Sequence, residues 1–160
     1  MRPATSSSAL NFQNEIGEAF QVLEFGASTR SAAEAAATIG CDEGQIAKSI
    51  IFRGKRSDAC ILAIAPGPGR IDTKKVADLI GEPVERPDAD FVRERTGYAI
   101  GGVPPLPRAR GVRTLIAREL AQNGLLWAAG GTPNAVFSLD YAQLQELTGG
   151  ESVDILTAAA

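Results

Sequence analysis

The segment Lys48–Ala65, KSIIFRGKRSDACILAIA, decides the fold class. Two apolar, β-branched runs, Lys48 to Arg53 and Ala59 to Ala65, flank the polar stretch Gly54 to Asp58. Such runs around a short glycine-containing loop predict a β-hairpin. APGPGR, Ala65 to Arg70, breaks the second strand, because proline fixes φ and removes a backbone donor. Downstream, Asp72 predicts the N-cap of a helix to about Ile80, closed by Gly81, and Pro87-Asp88 opens another to Thr96, stopped by Gly97. Val112 to Ala117, Leu125 to Ala129 and Asn134 to Leu139 read as strands, Asp140 caps a last helix to Thr148, and Ser152 to Leu156 adds an edge strand. Upstream, Ala9 to Phe20 reads as an amphipathic helix and Gln21 to Phe25 as a strand. Ser31 and Glu34 form a capping box for a helix ending at Ile39 before Gly40, and Asp42 to Ala47 makes one further turn. Strands and helices mix without regular βαβ alternation, which predicts an α+β fold on a mixed, strongly curved sheet.

The chain has 160 residues, which suits one domain. We expect a disordered lead-in over residues 1–8, where no apolar signal core is present, and a single domain over 9–160. Hydrophobic residues make up 44% and aromatic residues 6%, so Val, Ile, Leu and Ala must supply most of the core. A formal net charge of −3 argues against broad, salt-driven binding along a nucleic-acid backbone but leaves room for reading one RNA end. The absence of histidine excludes Ser-His-Asp and Cys-His mechanisms and histidine metal sites. Cys41 and Cys60 stand in no metal spacing and read as small buried residues of a reduced, cytoplasmic protein. No run approaches the roughly 20 apolar residues of a membrane span.

Three places invite chemistry. TGYAIGGVPPLP, Thr96 to Pro107, holds three glycines and three prolines in twelve residues. It makes a tight, stiff loop whose bare amides can face an anion or oxyanion, or else a plain connection between helix and strand. AAGGTPN, Ala128 to Asn134, is a second glycine turn, either a hairpin turn or a place where backbone meets a ligand. Lys48 opens an otherwise apolar strand, where it either donates to a phosphate or snorkels at a strand end. Gly67 and Gly69 in PGPG read as a loop on which nothing polar converges. Arg108, Arg110, Arg113 and Arg118 read singly as solvated surface and together as a patch for the phosphates of an RNA end. No pair of carboxylates is placed for acid–base work.

Five motifs, TRSAAEAAATIG, QIAKSIIF, RIDTKKVADLIG, TGYAIGGVPPLP and AAGGTPNAVFSL, follow in order from about Val22 to Thr148. Together they resemble the YbaK/EbsC family, free-standing editing domains related to the insertion domain of bacterial prolyl-tRNA synthetase. The resemblance implies a compact α+β fold around a curved, barrel-like mixed sheet. It implies a metal-independent hydrolase that removes a wrong small amino acid, such as Cys or Ala on tRNA(Pro), from a tRNA 3′ end. The family lysine that contacts the terminal adenosine's phosphate matches Lys48. The substrate loop matches Gly101, Gly102, Val103 and Pro104, and the second glycine turn matches Gly130 and Gly131, followed by Thr132. Ile50, Val103, Pro104 and that turn are the expected pocket walls. No side-chain base is implied, because a substrate ribose hydroxyl helps activate water, and no cofactor is implied. The chain departs from the family where several relatives carry a charge: here the strand reads Asn134-Ala135-Val136-Phe137.

The expected partners are a mischarged tRNA and a prolyl-tRNA synthetase supplying tRNA selectivity, with no membrane, and with monomer and homodimer both open. Two other readings stand beside this one: a catalytically silent module that binds an aminoacyl-tRNA end or a synthetase, and a phosphate-ligand sensor unrelated to tRNA. A side chain at Gly102 either forbids a positive φ and destabilises the domain or fills the substrate's space; Gly102→Ala is expected to slow deacylation at least tenfold and to lower the melting temperature by only a few degrees.

Overall fold

The computed structural model describes residues 1–26, 29 and 31–158. In chain order the elements are β1 (Arg2–Pro3), α1 (Ser7–Ile16), β2 (Leu23–Glu24), α2 (Ala32–Ile39), β3 (Ile46–Gly54), β4 (Cys60–Pro66) and α3 (Thr73–Ile80). There follow β5 (Val84–Glu85), α4 (Ala89–Thr96), β6 (Arg113–Ala117), β7 (Leu126–Ala129), β8 (Ala135–Leu139), α5 (Tyr141–Thr148) and β9 (Glu151–Val153). One nine-stranded mixed sheet runs in the order β1-β2-β8-β7-β3-β4-β6-β9, with β5 paired to the far end of β3. The predicted hairpin is its centre: β3 and β4 pair antiparallel from Ala47 opposite Pro66 to Arg53 opposite Cys60. Parallel neighbours then extend it, β7 on β3 and β6 on β4.

The hairpin is buried on both faces, which is why its strands read as nearly unbroken apolar runs. Ile51, Leu62 and Ile64 join Ala9 and Phe12 of α1, Phe91 and Val92 of α4 and Leu144 of α5 in the larger core. Phe52, Ile61, Ala63 and Ala65 face the other way, onto Val76 of α3 and Ile155. A third cluster packs Ala35 and Ala36 of α2 on Ile46, Phe25 and Val136. Successive β3 side chains alternate between the faces. On the face that carries Ile46, Lys48, Ile50 and Phe52, α2 therefore covers the first residue and α3 the last. Lys48 stands in the gap between the two helices.

Helix caps follow the sequence signals. Ser31, Asp72, Asp88 and Asp140 accept first-turn amides, and Gly40, Gly81, Gly97 and Gly149 close the same helices in left-handed geometry. Two expectations are corrected near the N-terminus. The helix expected over Ala9 to Phe20 starts at Ser7 and ends at Ile16, because Gly17 turns at φ +78. Gln13 then ties the chain back through bonds to the carbonyls of Gly17 and Phe20 and from the amide of Val22. The expected lead-in over residues 1–8 carries structure: Arg2–Pro3 pairs with β2, and Ser6 caps α1. At the other end, β9 lies at Glu151–Val153, and Leu156 forms a separate bridge with Ile71.

Buried Glu24 holds the N-terminal segment in place. Its Oε1 accepts from the amides of Thr5 and Ser6 and from the Thr5 hydroxyl. The Thr5 amide bond is the main cause holding this carboxyl below its usual range, against the opposing effect of burial. A depressed folded pKa stabilises above the ordinary value and loses that contribution as pH falls through it. The wild-type melting temperature should therefore drop more steeply than that of Glu24→Gln below about pH 4.3, the ordinary glutamate value. Parallel pH profiles for the two proteins would remove this role from Glu24.

Candidate active site

Two glycine loops, the start of β3 and the start of α2 enclose a cavity of about 450 Å³. Ala32 and Ala35 come from α2, Ile46 to Ser49 from β3, Trp127 to Ala129 from β7, and Ala135 and Val136 from β8. Gly101, Val103 and Pro133 close it from the loops. Lys48 is the one charged side chain among the described residues lining it, and no carboxylate, histidine or cysteine does so. The cavity has the size and apolar character of a small-molecule site. Ser49 Oγ is buried there with no hydrogen-bond partner among the described residues.

Lys48 is held rather than loose. Its Nζ donates to the carbonyl oxygen of Gly67 at 2.9 Å. Gly67 in turn donates to Ile46 at 2.9 Å, so PGPG folds directly over the start of β3. A Cβ at Gly67 would stand 2.6 Å from the carbonyl oxygen of Glu43. The PGPG loop, read from sequence as a place where nothing polar converges, thus holds the Lys48 ammonium. Burial lowers the Lys48 pKa; nearby Glu43 opposes this, and Arg70 and Arg86 add to it.

The two glycine loops cross at close range. A Cβ at Gly102 would stand 2.7 Å from the Cα of Thr132. The Gly102 amide is occupied, donating to Ala99 at 2.9 Å. Among the described residues, the amides of Gly101 and Val103 have no hydrogen-bond partner and remain the donors this loop can offer. The loop is anchored at its start. The Tyr98 hydroxyl donates to Glu15 at 3.2 Å, and Arg110 bonds both oxygens of Glu15 and the Thr96 carbonyl. Burial foremost, then the Glu15 charge, pushes the Tyr98 pKa up to about 12.

The structure sorts the sequence candidates. Lys48, Gly101 and Val103 meet at the cavity. Ile50 lines a different cavity on the other side of Lys48. Pro104 is buried outside the lining. Gly130 and Gly131 face the packing below it: added Cβ atoms would stand 2.7 Å from Val22 Cγ1 and 2.8 Å from the Ser8 carbonyl oxygen. The Thr132 hydroxyl accepts from the Asn134 amide within its own turn. The expected arginine patch is largely committed. Arg110 pairs with Glu15, Arg113 with Glu151 and Arg118 with Asp154, while Arg108 donates to the Glu146 carbonyl. Sequence reading missed Trp127, while Ala129 and Pro133 lie in the second glycine turn it singled out; the β3–β7 and β7–β8 pairings bring these residues to the cavity.

A central hairpin with mixed neighbours, a half-buried lysine and two crossing glycine loops define an aminoacyl-tRNA editing domain. The chain belongs to that family, whose sequence pattern it matches over residues 27–147. It is 34% identical over 127 residues to the uncharacterised Bacillus subtilis protein YwhH, spanning 79% of this chain and 80% of that one. It is 28% identical over 127 residues to EbsC of Enterococcus faecalis, described as a candidate Cys-tRNA(Pro)/Cys-tRNA(Cys) deacylase, spanning 74% of this chain and 77% of that one. The crystal structure of a candidate trans-editing enzyme for prolyl-tRNA synthetase superposes with a TM-score of 0.88 at 36% identity, covering 97% of this chain and all of the other. The substrate class is an aminoacyl-tRNA. No helix among the described residues is long and apolar enough to cross a membrane.

The crossing gives the cost of a side chain at Gly102 a physical cause. Alanine there must displace the Thr132 backbone, and overpacking of this kind typically costs about 1–3 kcal/mol. At roughly 2–4 °C per kcal/mol, Gly102→Ala should melt several degrees below wild type. Gly101 has φ +89 but open space, with Pro133 Cγ 3.7 Å from a built Cβ. Gly101→Ala should cost about 1 kcal/mol from backbone strain alone. Calorimetry of both variants checks the order; a Gly102→Ala as stable as wild type would show that the loops do not constrain each other.

Proposed function

We propose that this protein is a cytoplasmic hydrolase that acts in trans on mischarged tRNA, cleaving the ester between a small amino acid and the 3′-terminal ribose. The observation that carries this is Lys48, the sole charge on the described wall of an apolar cavity, fixed by the Gly67 carbonyl beside two unoccupied backbone amides. Lys48 anchors the phosphate of the terminal adenosine as a compact point charge. The ester carbonyl points toward the amides of Gly101 and Val103, which stabilise the oxygen as it becomes an oxyanion. One such donor is typically worth about 3 kcal/mol of transition-state energy. Water, activated with help from the neighbouring ribose hydroxyl, attacks the carbonyl carbon. The bond to the ribose oxygen breaks, the amino acid leaves as its carboxylate, and the tRNA recovers its hydroxyl. No cofactor enters this scheme, and no group of three or more His, Cys, Asp or Glu among the described residues is placed to hold a metal ion.

Ala129, Ala135 and Val136 make the wall against which the aminoacyl side chain is read. The family's charge is replaced on this wall, and a small apolar side chain such as that of Ala or Cys fits an apolar wall. Discrimination by one methylene is worth only about 1–3 kcal/mol, so a prolyl-tRNA synthetase is the natural source of tRNA selectivity. The same apolar wall favours one competing reading, a silent module that holds an aminoacyl-tRNA end without hydrolysing it.

Single-turnover ester loss from a panel of mischarged tRNAs tests the activity. Lys48→Ala should slow it at least tenfold, ~1.4 kcal/mol of barrier, without a matching loss of melting temperature. Lys48→Arg should recover part of the rate, because a planar fork replaces a compact ammonium imperfectly. Chelator, and the Cys41→Ser/Cys60→Ser pair, should leave turnover intact. Trp127, the chain's single tryptophan, lines the cavity and reports its occupancy by fluorescence. Quenching by a mischarged tRNA with ester loss at the buffer rate would establish the silent module.

A further inference from the structure

A second cavity, of about 400 Å³, opens on the other side of Lys48. Ile50 and Phe52 form its apolar base, while Arg70, Thr73 and Arg86 stand at its edge. Lys48 lines both cavities. Their chemistry differs: the first carries a single charge on its described wall, and the second gathers three cations with no carboxylate in its lining. Like charges brought together in one cleft repel unless an anion enters.

Elsewhere in the molecule, five arginines are paired with carboxylates. Arg53 and Arg95 share Asp58, Arg110 has Glu15, Arg113 has Glu151 and Arg118 has Asp154. Arg70 and Arg86 have no acidic partner among the described residues. Both are nevertheless positioned. The Arg86 guanidinium lies 5.8 Å over the Phe52 ring, a cation–π contact on the cavity base. The backbone at Arg70 is fixed by the Thr157 amide donating to its carbonyl at 2.8 Å and by the Ile71–Leu156 bridge beside it.

We propose that this cleft is an anion subsite in which Arg70 and Arg86 hold the next phosphodiester upstream of the one taken by Lys48. The single-stranded 3′ end of the RNA then runs from the apolar cavity, over Lys48, into the cleft. This rests on the editing reading and extends it from one phosphate to a stretch of strand. A free phosphate or mononucleotide offers the same chemistry. Continuity through a lysine shared by both cavities favours the strand.

The test compares wild type, Arg70→Gln/Arg86→Gln and Arg70→Lys/Arg86→Lys by Trp127 fluorescence against three probes: the uncharged RNA ACCA, AMP and inorganic phosphate. The glutamine pair should bind ACCA at least tenfold more weakly, with AMP affinity within twofold of wild type. Its log K against log salt slope should fall by about 0.7, the value for one single-strand phosphate. The lysine pair should keep most of that slope, since point charges suffice. In single-turnover hydrolysis of mischarged tRNA, the glutamine pair should need a correspondingly higher protein concentration for half-maximal rate, with the plateau rate within about twofold.

Unchanged ACCA affinity and slope in the glutamine pair overturns the subsite, as does a wild-type protein that binds none of the probes. Equal losses for ACCA, AMP and phosphate overturn the strand assignment in favour of a free-anion site. Wild type that shows the arginine-dependent RNA binding but hydrolyses no mischarged tRNA defeats the proposed activity and supports the subsite. Hydrolysis with unchanged saturation in the glutamine pair defeats the subsite alone.

Discussion

Gly102 lies so close to the Thr132 backbone that a methyl group between them would stand 2.7 Å from Thr132 Cα. That crossing of two loops, distant in sequence, sets the shape of the site. It brings Gly101 and Val103 of one loop and Pro133 of the other into the lining of one cavity. The loop cannot drift at its other end, because Tyr98 and Arg110 converge on Glu15 of α1. Backbone donors aimed by packing are already organised when a charge develops, which is where such donors are effective.

The lysine depends on a different constraint. Alternation along β3 puts Ile46, Lys48, Ile50 and Phe52 on one face, and two helices cover only its ends. A lysine in the gap keeps its stem against apolar surface and its ammonium accessible. The Gly67 carbonyl takes one of its donors and leaves others for a ligand. Glycine at 67 is required because the Glu43 carbonyl approaches too closely for a side chain. The prolines beside it stiffen the mount.

In the proposed reading, the apolar cavity and the cationic cleft divide the work that an aminoacyl-tRNA end demands. An ester and a small side chain need a dry, shaped wall, which Ala135 and Val136 provide. Phosphates need cations that the protein has not already neutralised. Five arginines are paired with Asp58, Glu15, Glu151 and Asp154, whereas Arg70 and Arg86, which share a cavity with Lys48, have no acidic partner among the described residues.

Local signals in the sequence determined the elements. Continuous apolar, β-branched runs around a polar loop gave the β3–β4 hairpin, Asp or Ser caps with closing glycines bounded α2 to α5, and the ordered motifs pointed to Lys48 and the Gly101–Val103 loop. Those signals act within a few residues, so they are legible one stretch at a time. The end of α1 was not legible, because Gln13 satisfies the Gly17–Val22 turn with a side chain that carries no periodic pattern. Tertiary structure alone decided which candidates meet. Parallel pairing of β3 with β7 brought Trp127 to the cavity, Ile50 fell on the opposite side of Lys48, and Gly130 and Gly131 turned toward Val22 and Ser8. It also decided which arginines stay free, since ion pairing joins residues as far apart as Glu15 and Arg110. Contacts between distant segments depend on register and packing across the whole sheet, and no local pattern of residues encodes them.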